Sequence, residues 1–427
     1  MNGKSLKSKR PTNYIIMALL LVVLVMYMLN CIKIGNDFET FYDIGKFALS
    51  KMNIYAPSPT TGMYVFYLPY FSLLMIPFAI LPFSLAAGAW FLLKCVGFYR
   101  IYHFYRDSIQ KEADKDHFAW WLILLPFIFI INPINADFRL GQVNSFVHFL
   151  IIASFFLLKK NRYALSSMCF VISCIKVTPL IFLPYFLLRK QWKFLIATGL
   201  WYGVFFALLF AWFGPTEFAS LFQTWLSVSS QQKMGTEALA YYENQSLSGF
   251  LARLTLSANE GSLLLENLQI SSFSIPWFKV VLYSVSALLT ATALFPVLLL
   301  RRQPELFDIE LVLMFVLMLI VSPDTRTAHL FHLLFPVLFF WKSILLKLKY
   351  AVAGKVALAS VLLGLVLTSR DLLGREMNTL LRQHSVQLFV LVIFFLCSLY
   401  VIWLEVLKIR ANAIQLTHST RERMTHT

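Results

Sequence analysis

Charge is scarce in this chain: Asp, Glu, Lys and Arg make up only 14% of its 427 residues, while 59% are hydrophobic. A mean hydropathy of +0.70 leaves too little polar surface to meet water on every side. That excludes an ordinary soluble domain and predicts a polytopic membrane protein. Acids are scarcer than bases, 21 against 37, for a formal charge of +16. The bases fall in short clusters between apolar runs and make no single basic face, so they read as topology signals and not as a nucleic-acid surface. Cysteine is sparse too. Cys31, Cys95, Cys169, Cys174 and Cys397 lie in or beside apolar segments without redox or metal spacing, which argues against a disulfide framework and a zinc site. The sequence has no H-E-x-x-H and no G-x-G-x-x-G opening a helix, so a zinc-protease helix and a dinucleotide-binding domain are both excluded. No repeat relates 1–210 to 211–427, which counts against a transporter built from matched halves.

What is there is a succession of apolar runs. The first, 14–29, follows Lys4, Lys7, Lys9 and Arg10 and has no small-residue cleavage site after it. It reads as an uncleaved signal anchor with its tail in the cytoplasm. The basic clusters at 100–106, 159–162, 189–193, 301–303, 342–349 and 408–410 are expected on the cytoplasmic side, which puts 33–83, 132–144, 214–273, 322–328 and 369–385 on the outer side. The run 66–102 is too long for one crossing. Its first part, 67–81, interrupted by Pro69 and Pro77, is expected as a helix at the outer interface, and 84–102 as a true span. The run 163–188 has bases at both ends and K-V-T-P at 176–179, and is expected as two short helices meeting near the outer half of the bilayer. The sum is an all-α protein with one membrane domain over 1–427 and about twelve spans of roughly 20 residues. Cytoplasmic tails at 1–12 and 408–427, a first outer loop at 33–83 with juxtamembrane helices, and a long outer loop at 214–273 complete it.

Several polar residues in these outer segments need a reason. In G-N-D-F-E-T-F-Y-D at 35–43, Phe38, Phe41, Tyr42, Gly45, Ala48 and Leu49 make a helical stripe while Glu39, Asp43 and Lys46 project elsewhere. Asp37 stands at the start of that helix, where it either caps backbone N–H groups or serves a site. Arg139 beside Gln142 and Asn144 suits either a turn or a phosphate. Lys176 falls between two apolar runs, where a lysine at the bilayer centre costs about 2.5–3.5 kcal/mol unless it snorkels or meets a cavity or an anion. Glu243, Asn244, Gln245 and Arg253 in the long loop suit a headgroup or sugar, or an ordinary loop. Asp324, Arg326, His329 and His332 begin a later span; the two histidines share a helix face but lack the further ligands that zinc needs. An acid surrounded by cations from remote segments is a transferase pattern. A carboxylate can deprotonate an attacking hydroxyl, and fixed cations can stabilise a departing phosphate. Here the acids of the first outer segment are surrounded by Lys176, Arg139, Arg253, Arg326 and the histidines.

The ordered series D-F-x-x-F-Y-x-x-G-x-x-x-L from Asp37, Y-x-P-x-F-S-L-L from Tyr67, G-Q-V-N at 141–144, K-V-T-P at 176–179, N-Q-S-L-S-G-F-L-A-R-L at 244–254 and S-P-x-x-x-x-x-H at 322–329 resembles glycosyltransferase family 87. These are GT-C-type, polyprenol-phosphate-mannose-dependent mannosyltransferases and their relatives. The resemblance covers 36–340. It implies inverting, metal-independent transfer of a hexose from a polyprenyl phosphate to a lipid or glycan acceptor, without a cofactor, on the outer face of the cytoplasmic membrane. It also implies Asp37 as general base, with Lys176 and His329 near the lipid phosphate, where Arg139 and Arg253 are expected beside them. Gln142, Asn144, Glu243, Asn244, Gln245 and Arg326 are then expected to contact substrates, and Glu39, Asp43 and Glu243 are the other acids able to share the proton transfer. The expected partners are the donor, the acceptor and membrane lipids, with no nucleic acid. This chain departs from the family pattern at Leu68-Pro69, at Arg326 and at Ala328-His329. Two rival readings are another lipid-linked glycan enzyme, of the O-antigen ligase or polymerase type, and a transporter of a phosphorylated solute or lipid.

Overall fold

A computed structural model describes residues 22, 25, 26, 28, 29, 36–113, 120–233, 239–256, 273–300, 303, 306–348 and 350–425. Apart from five positions, the expected anchor at 14–29 lies outside the described residues, as do its basic tail, Cys31, Arg301, Arg302, Lys349 and 257–272. Every regular element among the described residues is helical.

The stripe that opens the chain forms α1 (Asn36–Leu49). Phe38, Phe41, Tyr42 and Ala48 are buried as the periodicity requires, while Leu49, at the end, is exposed. Asp43 corrects the expectation that it projects away. It is buried and accepts a hydrogen bond from Ser58 Oγ at 2.6 Å, so a hydroxyl from the following turn lets an acid point inward. The expected interfacial helix is α2 (Phe71–Ala79). It crosses α1 so closely that a Cβ on Gly45 would lie 2.6 Å from the Met75 carbonyl oxygen and 2.8 Å from Ala79 Cβ. Only glycine permits that approach.

The residues expected as a span, 84–102, lie in the longer α3 (Phe83–Ala113), which is not one of the helices apolar enough by composition to cross a membrane. After α4 (Trp120–Phe129), the short α5 (Ile131–Arg139) turns through 114° into α6 (Asn144–Lys159). The interrupted run at 163–188 is broken as its K-V-T-P predicts, into α7 (Tyr163–Ser173), a tight turn at Thr178–Ile181 and α8 (Phe182–Leu188). The break is held by Tyr70, whose hydroxyl donates to the Val171 carbonyl at 2.7 Å, and by the Leu68 N–H, which donates to the Ile175 carbonyl at 3.0 Å.

There follow α9 (Trp192–Phe213), α10 (Pro215–Lys233), α11 (Leu247–Thr255), α12 (Ile275–Leu300) and α13 (Phe307–Val321). Residues 309–320 of α13 are all buried, the sign of a helix apolar all round at the centre of a bundle. A 3₁₀ segment, Thr327–Leu333, runs into α14 (Leu334–Leu345). Then come α15 (Ala351–Val361), α16 (Arg370–Gln383), which lies at 85° to the element before it, and α17 (Val386–Thr425).

Four described helices are long and apolar enough to cross a membrane, or six if each bent pair counts as one span. The expected dozen is not reached among the described residues. The break at K-V-T-P divides one further apolar run into the short pieces Tyr163–Ser173 and Thr178–Leu188, shorter than a bilayer core requires.

Described bases of the 159–162, 189–193 and 342–349 clusters meet the start of α13 and the end of α3. Lys159 pairs with Asp308, and Lys342 Nζ donates to Ser108 Oγ at 2.7 Å. Arg189 was expected as a topology signal alone, yet it is buried against Glu310, which also accepts from the Tyr185 hydroxyl at 3.0 Å. The Arg189 guanidinium also donates to the carbonyls of Leu300 and Gln303. A buried charge persists only when it is paired in this way.

Candidate functional site

Asp37 opens α1. Its Oδ2 accepts from Gln142 Nε2 at 2.6 Å, so the carboxylate reaches a residue far away in the chain. Gln142 is aimed by an unusual loop. Gly141 has φ +66°, and a Cβ there would lie 2.7 Å from Phe38 Cβ, which requires glycine on both counts. Trp90 lies over Phe38 with ring centroids 5.6 Å apart, and its Nε1 donates to the Gly141 carbonyl at 2.9 Å. The Gln142 N–H donates to the Asp137 carbonyl at 3.0 Å, and the Asp37 N–H donates to the Leu140 carbonyl at 3.2 Å. Beneath the loop, Lys94 Nζ donates to the same Asp137 carbonyl at 2.8 Å and pairs with Asp137 Oδ2 at 2.9 Å, both side chains being buried. Burial pushes the Asp37 carboxyl above its ordinary range. The Gln142 hydrogen bond and the charges of Lys176 and Arg326 oppose that rise, and Asp137 adds to it. A carboxylate with a raised pKa is a stronger base.

Lys176 occupies the break between α7 and the 178–181 turn. Its Nζ donates to Asn144 Oδ1 at 2.5 Å and lies 5.5 Å from the centre of the Tyr67 ring. The Asn144 amide nitrogen is buried with no hydrogen-bond partner among the described residues, a donor placed for an acceptor oxygen. Lys176 and Asn144 both line a cavity of about 620 Å³ whose other walls include Tyr67, Trp225, Leu226, Tyr283 and Met318. A groove of about 700 Å³ along α12 shares Tyr283, Val321 and Pro323 with it. This is an apolar passage with a cation in one wall.

A second cavity of about 720 Å³ is polar. Asp37, Arg139, Gln142, Glu243, Arg326 and His329 line it, and His329 also lines the apolar cavity. His329 accepts the Arg326 N–H on Nδ1 at 2.9 Å. Arg326 pairs with Asp324 at 3.2 Å and sits 5.6 Å from the Tyr241 ring centre, while Glu243 pairs with Arg382 at 3.5 Å.

Three expected contacts fall elsewhere. Asn244 receives the Thr325 N–H and the Ser246 hydroxyl on Oδ1 and donates to the Pro323 carbonyl. Gln245 bonds the carbonyls of Tyr242 and Arg382 and the N–H of Gln387. Arg253 is buried, donating to the carbonyls of Tyr241 and Asn244 and to Ser385 Oγ, and burial pulls its guanidinium down to about 10. These residues clasp the segments around 241, 325 and 385 and line neither cavity. The Arg253 Nη1 and Nη2 groups are taken by these oxygens, while its buried Nε has no hydrogen-bond partner among the described residues. Glu39 also lines neither cavity, and Asp43 is engaged with Ser58.

Some of the site was not anticipated. Lys94 stands alone in the apolar F-L-L-K-C of α3, a signal of a buried partner. His332, already noted as His329's neighbour, is buried against His148, with their Nδ1 atoms 3.3 Å apart. Arg370 and Arg375 reach the polar cavity from α16. Among the described residues no group of three or more His, Cys, Asp or Glu side chains could hold a metal ion.

The model of glycosyltransferase family 87 matches residues 64–323. A protein of Mycolicibacterium smegmatis (strain ATCC 700084 / mc(2)155), described as a polyprenol-phosphate-mannose-dependent alpha-(1-2)-phosphatidylinositol mannoside mannosyltransferase, is 29% identical over 156 residues. That stretch is 35% of this chain and 33% of the relative, so the two match over about a third of either length. No solved structure gives a significant match.

Proposed function

The chain belongs to glycosyltransferase family 87, and from that premise we propose that it transfers a hexose from a polyprenyl phosphate to a lipid or glycan acceptor on the outer face of the cytoplasmic membrane. Mannose is the proposed sugar, by likeness to the relative. A GT-C architecture of about twelve spans goes with this reading.

One observation carries the proposal. An apolar passage with Lys176 and the unpartnered Asn144 amide in its wall meets, at His329, a polar cavity that contains Asp37. The passage suits an isoprenoid chain, and an ammonium beside an amide donor suits the phosphate at its head. The sugar then lies toward His329 and Asp37, with the acceptor entering the polar cavity.

In the proposed step, Asp37 takes the proton of an acceptor hydroxyl as its oxygen bonds to the anomeric carbon. The bond from that carbon to the phosphate oxygen breaks, and its electron pair leaves on the phosphate. Lys176 and the Asn144 amide stabilise the growing negative charge. Attack from the face opposite the phosphate inverts the anomeric configuration. Gln142 fixes the carboxylate, and the clamp of Trp90, Phe38 and Lys94 fixes Gln142.

The test is transfer of labelled sugar from a polyprenyl-phosphate mannose by the purified chain supplied with lipid extracts. Asp37→Asn is expected to lower the rate by about 10²- to 10⁴-fold, and Lys176→Gln to weaken donor binding. Full activity in Asp37→Asn would remove the base from the proposal.

A further inference from the structure

The polar cavity is lined by five arginines, Arg139, Arg326, Arg370, Arg375 and Arg382, against three carboxylates, Asp37, Glu243 and Asp371. Arg326 is taken by Asp324 and Arg382 by Glu243. Arg139, Arg370 and Arg375 are exposed and have no hydrogen-bond or ion-pair partner among the described residues. This surplus gathers around residues 326–330, just beyond the end of α13, whose start meets the described basic clusters. Segments outside the cytoplasm are ordinarily poor in Lys and Arg, so orientation does not explain these arginines.

The helix that carries two of them is amphipathic. Beyond its kink at Gly374, where φ is +77°, Arg375, Asn378, Thr379 and Arg382 recur at helical spacing and face the cavity. The opposite face carries Met377 and Leu380, exposed by 47 and 46%, and Leu372 and Leu373, just before the kink, are exposed by 61 and 44%. An amphipathic helix at 85° to the element before it, with its apolar face bare, is built to lie in a bilayer surface. Its arginines then sit at the depth of lipid phosphates.

We propose that the polar cavity is an anion site for the acceptor, and that Arg370, Arg375 and Arg139 receive the phosphate group of a phosphate-bearing lipid headgroup. This rests on the reading of the cavity as the acceptor chamber and deepens it. Guanidinium forks pair with phosphate oxygens in a bidentate manner, whereas a neutral sugar needs no unpaired cation. The donor phosphate is served separately by Lys176 in the apolar passage.

The test uses the full chain in neutral detergent and four probes below their aggregation limits: dihexanoyl phosphatidylinositol, hexyl mannoside, inorganic phosphate and farnesyl phosphate. The phosphoinositide is expected to bind more tightly than the mannoside or inorganic phosphate, and to weaken as salt rises. Arg370→Gln with Arg375→Gln should weaken phosphoinositide binding about 10-fold or more while farnesyl phosphate binding holds. Arg370→Lys with Arg375→Lys, which keeps the charge but not the fork, should recover part of the loss, and an unchanged melting temperature excludes misfolding. Lys176→Gln should do the reverse, losing farnesyl phosphate and keeping the phosphoinositide. Equal binding of the mannoside or of inorganic phosphate overturns the proposal, as does an arginine pair that can be removed without effect. If the arginine pair instead weakens farnesyl phosphate, those residues belong to the donor. If Lys176→Gln leaves farnesyl phosphate untouched, the donor assignment fails while the acceptor site stands.

Discussion

Asp37 and Asp43 are six residues apart on one helix, yet their surroundings give them different work. Asp37 meets Gln142 in a cavity with Lys176 and Arg326 nearby, whereas Asp43 is sealed against Ser58. Because burial dominates and raises the folded-state pKa of Asp37, the unfolded chain ionises this acid more readily. Its charge therefore opposes folding, and the cost grows as pH rises from the ordinary carboxylate value through the folded one. Asp37→Asn is expected to leave the melting temperature unchanged or higher while transfer collapses. The acid limb of kcat/KM should fall above the ordinary aspartate range, because activity needs the deprotonated form. Asp43→Ala should behave oppositely, with a lower melting temperature and a near-normal rate per folded molecule, as measured by thermal unfolding beside the transfer assay. The place of Asp37 in the first turn of α1 was legible in the sequence because it stands outside an apolar run at the head of an amphipathic stripe. Gln142 as its partner was not, since nothing local marks two side chains that meet across so long a stretch of chain. Arg253 shows the converse: an arginine in an outer loop looks available until the fold turns it inward onto carbonyl oxygens.

Between elements, two contacts hold the site in shape. The α1–α2 crossing at Gly45 has no room for a methyl group against the Met75 carbonyl. Gly45→Ala is expected to cost about 1–3 kcal/mol through forced backbone shifts, readable as a lower midpoint in denaturant, and to lower transfer as α1 moves Asp37. The second contact is Lys94 with Asp137, which anchors α5 and the loop after it to α3. Lys94→Ala leaves a buried carboxylate alone and should cost about 3–5 kcal/mol, whereas replacing both partners by apolar residues of similar size should restore much of that stability. The broken run of α7 and α8 could be seen in advance, because Lys176 and Pro179 interrupt an apolar stretch at a place where a continuous helix would be costly. In the sequence the α5–α6 bend shows only as a polar joint, since the buried ion pair that folds it back needs a lysine from another helix. The apolar face of α16 was likewise hidden by the kink at Gly374, which shifts its periodicity partway along.

At the scale of the molecule, the bases at the start of α13 and the cavities at and beyond its end make orientation testable. In a variant without its native cysteines, a cysteine at Glu376 is expected to react with a membrane-impermeant maleimide in intact cells, and one at Asn161 only after the membrane is opened. Labelling in the opposite order would turn the chambers toward the cytoplasm and end the proposed outer-face chemistry. The number of crossings resists the sequence for a physical reason: runs cut by proline, lysine or a sharp bend can be half-spans, whole spans or surface helices, and length alone does not separate them. The wall shared at His329 has a kinetic corollary. With a greasy doorway for one reactant and a wet one for the other, neither has to vacate its berth before the other arrives, so initial-rate plots should intersect, as they do for a ternary complex, and neither product should leave before both substrates have docked.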